Sequence, residues 1–170
     1  MRILGIDPGS RITGYGLIDS NPISSRRFVS CGVIRPSSEL ALPDRLKELY
    51  DGLGEVIANY NPDCAAIENV FVARNPGSAL KLGQARGVLV LAVKHFSLAL
   101  HEFPAKVVKQ AVTGYGQAGK QQIQQVVKML LQLDRRPGED ASDGLAVAIC
   151  CANHLVSFNG GWKVQSPGFL

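Results

Sequence analysis

Ile3-Leu4-Gly5-Ile6-Asp7-Pro8-Gly9-Ser10 is a short apolar run that delivers one acid and then turns at once on proline and glycine. The pattern reads as a strand whose last residue is a carboxylate. A second run of the same kind, Cys64-Ala65-Ala66-Ile67-Glu68, also finishes on an acid. An apolar strand ending in a charge puts that charge at the rim of a sheet, where open α/β sheets place their sites. Further on, Asp140 and Asp143 stand three apart where a C-terminal helical pattern begins, so they share one helix face.

Carboxylates held about 4 Å apart repel by roughly 4 kcal/mol at an effective dielectric of about 20, so such a cluster calls for a cation. Hard oxygen ligands on rigid elements suit magnesium or manganese. The plainer reading makes Asp140 an N-cap and Asp143 a first-turn acid favoured by the helix dipole. For Asp7 that reading is weaker, because Gly-Ile-Asp-Pro-Gly-Ser is more specific than a turn requires.

Along the rest of the chain the pattern predicts strands at 2–7, 12–18, 28–35, 63–68 and 98–102. The first three form an antiparallel meander, with Asn21-Pro22 and Ser24-Ser25 marking its second turn. Gly14 and Gly16 suggest that the second strand lies close to another backbone. Helices are expected at 43–60, 77–96, 105–112, 120–131 and 141–158. In the first of them Leu46, Leu49, Leu53, Val56 and Ile57 repeat at a helical period. The order βββαβαβ followed by helices specifies an α/β sheet of mixed strand direction covered by helices, in which Asp7 and Glu68 can be neighbours. One domain over 1–158 and a C-terminal tail over 159–170 are expected.

A chain of 170 residues with 46% hydrophobic content can bury a core without disulfide or metal staples. Its longest uninterrupted apolar stretch, Gly87 to Val93, is far too short to span a membrane, and the start lacks the pattern of a signal peptide, which together predict a cytoplasmic protein. Cysteines 31, 64, 150 and 151 show no CxxC and read as reduced core residues; Cys150-Cys151 with His154 is the one combination that could bring sulfur and imidazole onto one helix face. His95 and His101 each read as standing alone. A net charge of +4 favours a polyanionic partner.

Taken in order, four strings resemble one family: Gly5-Ile6-Asp7-Pro8-Gly9-Ser10 with Gly14-Tyr15-Gly16, then Ile67-Glu68-Asn69-Val70-Phe71, then Ser78-Ala79-Leu80-Lys81-Leu82-Gly83-Gln84-Ala85-Arg86-Gly87, and Asp140-Ala141-Ser142-Asp143-Gly144-Leu145-Ala146. The family is that of the RuvC crossover junction endodeoxyribonucleases, bacterial Holliday junction resolvases of the ribonuclease H-like superfamily. The resemblance runs from residue 1 to about residue 156. It implies a ribonuclease H-like mixed five-stranded sheet flanked by helices. It implies paired symmetric nicks in four-way DNA junctions, made in recombination and repair by phosphodiester hydrolysis with two Mg2+ or Mn2+ ions per subunit. By this resemblance Asp7, Glu68, Asp140 and Asp143 are the catalytic metal ligands, Phe71 stacks on a base of the opened junction, and Lys109 and Lys120 approach DNA phosphates. A homodimer and partnership with the RuvA and RuvB branch-migration proteins are also implied. The chain keeps an acid at Asp143, where some relatives carry histidine, and it lacks the basic tail frequent in the family.

The residues themselves leave alternatives open. Phe71 is either a hydrophobic plug or a stacking platform. Gly83 and Gly87, four apart on an apolar helix, serve either packing on the helix's own sheet or a contact between subunits. Lys81, Arg86 and Lys106 read as ordinary solvated charges. Three other functions compete: an ATP-binding fold of the actin and sugar-kinase type, for which a second phosphate loop is missing; a DNA-binding module without catalysis; and a nuclease of the same superfamily acting on nicked or flapped DNA.

Overall fold

The computed structural model describes residues 1–21, 24–69 and 75–159. Strand β1 (Arg2–Asp7) is covered on both faces from Ile3 to Ile6 because it occupies the centre of the sheet. It pairs antiparallel with β2 (Thr13–Asn21), which pairs antiparallel with β3 (Ser24–Ile34), the expected meander. On its other side β1 runs parallel to β4 (Cys64–Asn69), and β4 runs parallel to β5 (Ala99–Pro104). The order is β3-β2-β1-β4-β5, a mixed five-stranded sheet.

Helices α1 (Leu42–Tyr60) and α2 (Pro76–His95) cover one face, and α3 (Ala105–Thr113), α4 (Lys120–Leu130) and α5 (Glu139–Asn159) cover the other. The pleat divides the core between them. Leu4, Ile6, Ala65 and Ile67 meet α1 and α2, whereas Ile3, Cys64 and Ala66 meet α3, α4 and α5. Asp7 and Glu68 continue the second set, so both carboxylates point to the α5 side. Of the apolar period predicted for α1, Leu49, Leu53, Val56 and Ile57 are buried and Leu46 is half-buried.

Several boundaries differ from expectation, and at three of them the pairing or bonding shows why. Ser24 pairs with Asn21, so the ladder reaches beyond 28 and the Ser24-Ser25 pair lies in β3 rather than in a turn. Strand β5 continues to Pro104, opposite Asn69; an edge strand tolerates a proline. Helix α5 starts at Glu139, two residues early. The Ser142 amide bonds the Gly138 carbonyl at 2.8 Å, and the Pro137 carbonyl accepts from both Ser142 Oγ at 3.3 Å and Gln124 Nε2 at 3.1 Å. Asp140 therefore lies inside the first turn and is not the N-cap. Residues 160–170, with most of the expected tail, lie outside the described residues, as does Phe71.

Candidate active site

Parallel pairing of β1 with β4 aligns Ile6 with Ile67, which sets Asp7 beside Glu68 at the same rim. The turn after Asp7 is closed by Thr13. This fully buried hydroxyl donates to the Gly9 carbonyl at 3.0 Å and accepts from the Gly9 amide at 3.3 Å. The end of β4 is braced by Arg86, which bonds Asn69 Oδ1 at 3.0 Å and pairs with Glu102. Arg86 is thus a structural tie, not a free surface cation.

The other two acids arrive on α5, and glycines decide how close it comes. A Cβ on Gly14 would lie 1.9 Å from the Asp140 carbonyl oxygen, one on Gly16 2.5 Å from the Leu145 nitrogen, and one on Gly5 2.2 Å from the Gly144 oxygen. The close approach expected for the second strand is therefore to α5 itself. Bare backbone on β1 and β2 lets the helix lie directly on the sheet with its first turn over the rim.

Asp7, Glu68 and Asp143 line one cavity of about 260 Å3, together with Lys109 and Lys120 and an apolar wall of Ala105, Val108, Ile123 and Ala146. Asp140 is not among the lining residues, but its negative charge raises the carboxyls of Asp7 and Asp143. Burial, then repulsion from Glu68, Asp143 and Asp140, pushes Asp7 up to about 8. Burial and Asp143 push Glu68 up to about 7, and burial is the main cause that takes Asp143 to about 6. Lys109 and Lys120 oppose these shifts, and Lys120 is itself held in an ion pair with Glu139. A half-buried cluster of hard oxygen donors whose members resist ionising together fits a divalent cation, which would relieve that repulsion.

The sign of the resulting pH dependence is fixed. These carboxyls titrate near 3.8 to 4.5 in an unfolded chain and higher in the folded one, so between those values the folded state holds more protons. Metal-free protein should lose stability as pH rises from about 5 to 8, and saturating Mg2+ should flatten the slope. Thermal melts in chelator and in Mg2+ across that range test this; identical slopes would exclude cation binding at these acids.

Sequence reasoning missed a second feature of this face. Arg26, Arg27, Arg135 and Arg136 line a hollow of about 710 Å3. They come from β3 and from the connection leading into α5, and only the fold unites them. It also misread the sulfur and imidazole groups. His101 does not stand alone: it meets Cys64 and Cys151, whereas the combination the sequence suggested was Cys150, Cys151 and His154. All four cysteines are free, as expected. Among the described residues no helix is long and apolar enough to cross a membrane.

Residues 3–151 match the family described as "Crossover junction endodeoxyribonuclease RuvC". The protein of that name from Syntrophotalea carbinolica is 56% identical over 154 residues, 90% of this chain and 94% of the relative. That from Cupriavidus metallidurans is 52% identical over 153 residues, 90% of this chain and 84% of the relative. Among solved structures, T. thermophilus RuvC in complex with a Holliday junction substrate superimposes with a TM-score of 0.86 at 26% identity, covering 93% of this chain and 96% of that one.

Proposed function

Because the chain belongs to the RuvC family of crossover junction endodeoxyribonucleases, whose members are metal-dependent nucleases, we propose that it resolves four-way DNA junctions by paired symmetric nicks during recombination and repair. The observation that carries this reading is the convergence of Asp7, Glu68 and Asp143 with two lysines in one cavity. Three carboxyls that oppose one another's ionisation argue against a catalytically silent DNA-binding module.

Asp7, Glu68, Asp140 and Asp143 would hold two Mg2+ or Mn2+ ions per subunit. Such ions lower the pKa of an attacking water and stabilise the departing 3′ oxygen. The chain's own residues position the reacting phosphate. Lys109 and Lys120 face it with positive charge from α3 and α4, and the apolar wall of Val108, Ile123 and Ala146 lowers the local dielectric, which strengthens each charge interaction there. In the arginine-lined hollow Arg26 and Arg27 are already tied to Asn153 and Asp19, and Arg135 and Arg136 supply the further phosphate contacts, so junction affinity should fall steeply with salt. Phe71, three residues beyond Glu68, takes the base-stacking role.

The protein acts as a homodimer, in the cytoplasm and alongside RuvA and RuvB, with one active site for each of two like strands. Helix α2 offers the interface. A Cβ on Gly83 or Gly87 would touch nothing within 4 Å among the described residues, so these glycines do not serve packing on their own sheet. Leu80 at 71% and Leu91 at 61% exposure extend the same outward face. Leu80→Glu combined with Leu91→Glu should yield monomers by sedimentation and uncouple the two nicks; an unchanged dimer would remove α2 from the interface.

The function itself is tested by Mg2+-dependent cleavage of a synthetic four-way junction beside linear and flapped duplexes. Ligatable paired nicks confined to the junction are expected. Equal cutting of flaps would favour a different nuclease of the same fold.

A further inference from the structure

Cys64 opens β4, His101 lies within β5, and Cys151 sits two turns along α5 from Asp143. Their two sulfurs and one imidazole nitrogen all lie within 4.8 Å of one another. Cys64 is 4% and Cys151 0% exposed, while His101 is half-buried. Three residues from three separate elements converge where an ordinary core would place apolar side chains. We propose that Cys64, His101 and Cys151 form a zinc site that braces β4, β5 and α5 against one another.

Zn2+ takes Cys sulfur at about 2.3 Å and His nitrogen at about 2.0 Å, so tetrahedral ligand atoms stand roughly 3.5–3.8 Å apart. From a spread of at most 4.8 Å the three donors need to draw in by no more than about 1.3 Å. Two thiolates and an imidazole select Zn2+ over the hard Mg2+ or Mn2+ suited to carboxylates. Hydrogen bonds from Cys151 and His101 lower the Cys64 thiol while the same contact raises that of Cys151, so the pair shares a proton that a soft cation would displace. The fourth position is left to water entering past His101.

This site is separate from the acidic cavity. Four residues of strand and eight of helix put it about 12 Å from Glu68 and from Asp143, and no residue is shared. It nevertheless holds the two elements that carry three of the four acids. A cation there would set the position of α5 on the sheet without touching the substrate.

The experiment titrates reduced full-length protein with Co2+ as a spectroscopic stand-in for zinc. One equivalent should give thiolate-to-cobalt charge-transfer absorption and intense tetrahedral visible bands, which carboxylate ligands do not produce. Zn2+ should abolish both by displacement. Cys151→Ser should lose the charge-transfer band, and Cys150→Ser, altering its neighbour, should keep it. Since a buried cysteine variant can fail to fold, half-buried His101→Ala is the second arm and should weaken Co2+ binding at least about 10-fold. Zinc at about 100 times its Kd should raise the wild-type Tm by roughly 5 °C or more and the His101→Ala Tm by much less. Absence of the thiolate band at one equivalent, or its persistence unchanged in His101→Ala and Cys151→Ser, would overturn the proposal. Because absorption and Tm are read without DNA, the result is independent of whether junctions are cut.

Discussion

Asp7→Asn protein should bind a four-way junction with near wild-type affinity and cut it at least about 10^3-fold more slowly, since a lost cation ligand removes several kcal/mol of transition-state stabilisation. Asp7 is the central acid of the cluster: its carboxyl feels Glu68, Asp143 and Asp140 together. The same substitution should stabilise metal-free protein. A carboxyl raised to about 8 is ionised at high pH only against burial and three like charges, and the amide needs no ionisation. The gain at pH 8 is on the order of 2–4 kcal/mol, discounted from the full shift for water reaching the cavity. It should vanish near pH 4, where the acid is protonated as well. Opposite signs separate the two roles: a merely structural Asp7 would lose stability on substitution and carry activity down with it. Single-turnover cleavage, gel-shift binding in chelator and melts at both pH values supply the three readings, and retained turnover would end the assignment of Asp7.

Much of this site could be read before the fold was known, because strands β1 and β4 announce themselves twice over. Each is a short apolar run with an acid at its close, Asp7 as the last residue of β1 and Glu68 as the last but one of β4, so the buried centre of the sheet and its charged rim are written in the same six residues. The register that joins them follows from parallel pairing. Asp143 was legible as a helix-face partner of Asp140, yet its place in the cavity depends on where α5 crosses, which local periodicity does not encode. The grouping of Arg26 and Arg27 with Arg135 and Arg136 is of the same kind: more than one hundred positions separate the pairs, and no pattern along the chain marks their meeting. The Cys64, His101 and Cys151 cluster escaped for that reason too, since metal spacing rules apply to ligands on one turn or hairpin and these come from three elements. Element ends slipped where tertiary bonds override local propensity, as at Glu139, where Gln124 and Ser142 both hold the Pro137 carbonyl.

Gly14→Ala should impair cleavage about as severely as loss of a positioning contact, although it adds one methyl and changes no charge. The new Cβ would sit 1.9 Å from the Asp140 carbonyl oxygen and 2.5 Å from its carbonyl carbon, both backbone atoms with no rotamer to give way. The first turn of α5 must therefore lift from β2 by more than 1 Å. That movement carries Asp140 and Asp143 away from Asp7 and Glu68, which stay fixed by the β1 and β4 pairing. Displacements of about 1 Å in positioning groups cost about 10^2-fold in rate, and overpacking of this kind costs about 1–3 kcal/mol in stability. Raising Mg2+ should restore only part of the rate, because the ligand cage is misshapen as well as weakened. Circular dichroism would confirm that the sheet and helices persist, and Mg2+-dependence of single-turnover cutting would report the cage. Cleavage and Tm both at wild-type levels would mean that α5 does not need its contact with β2 to present the acids, and that the glycines at 14 and 16 owe their place to something other than this crossing.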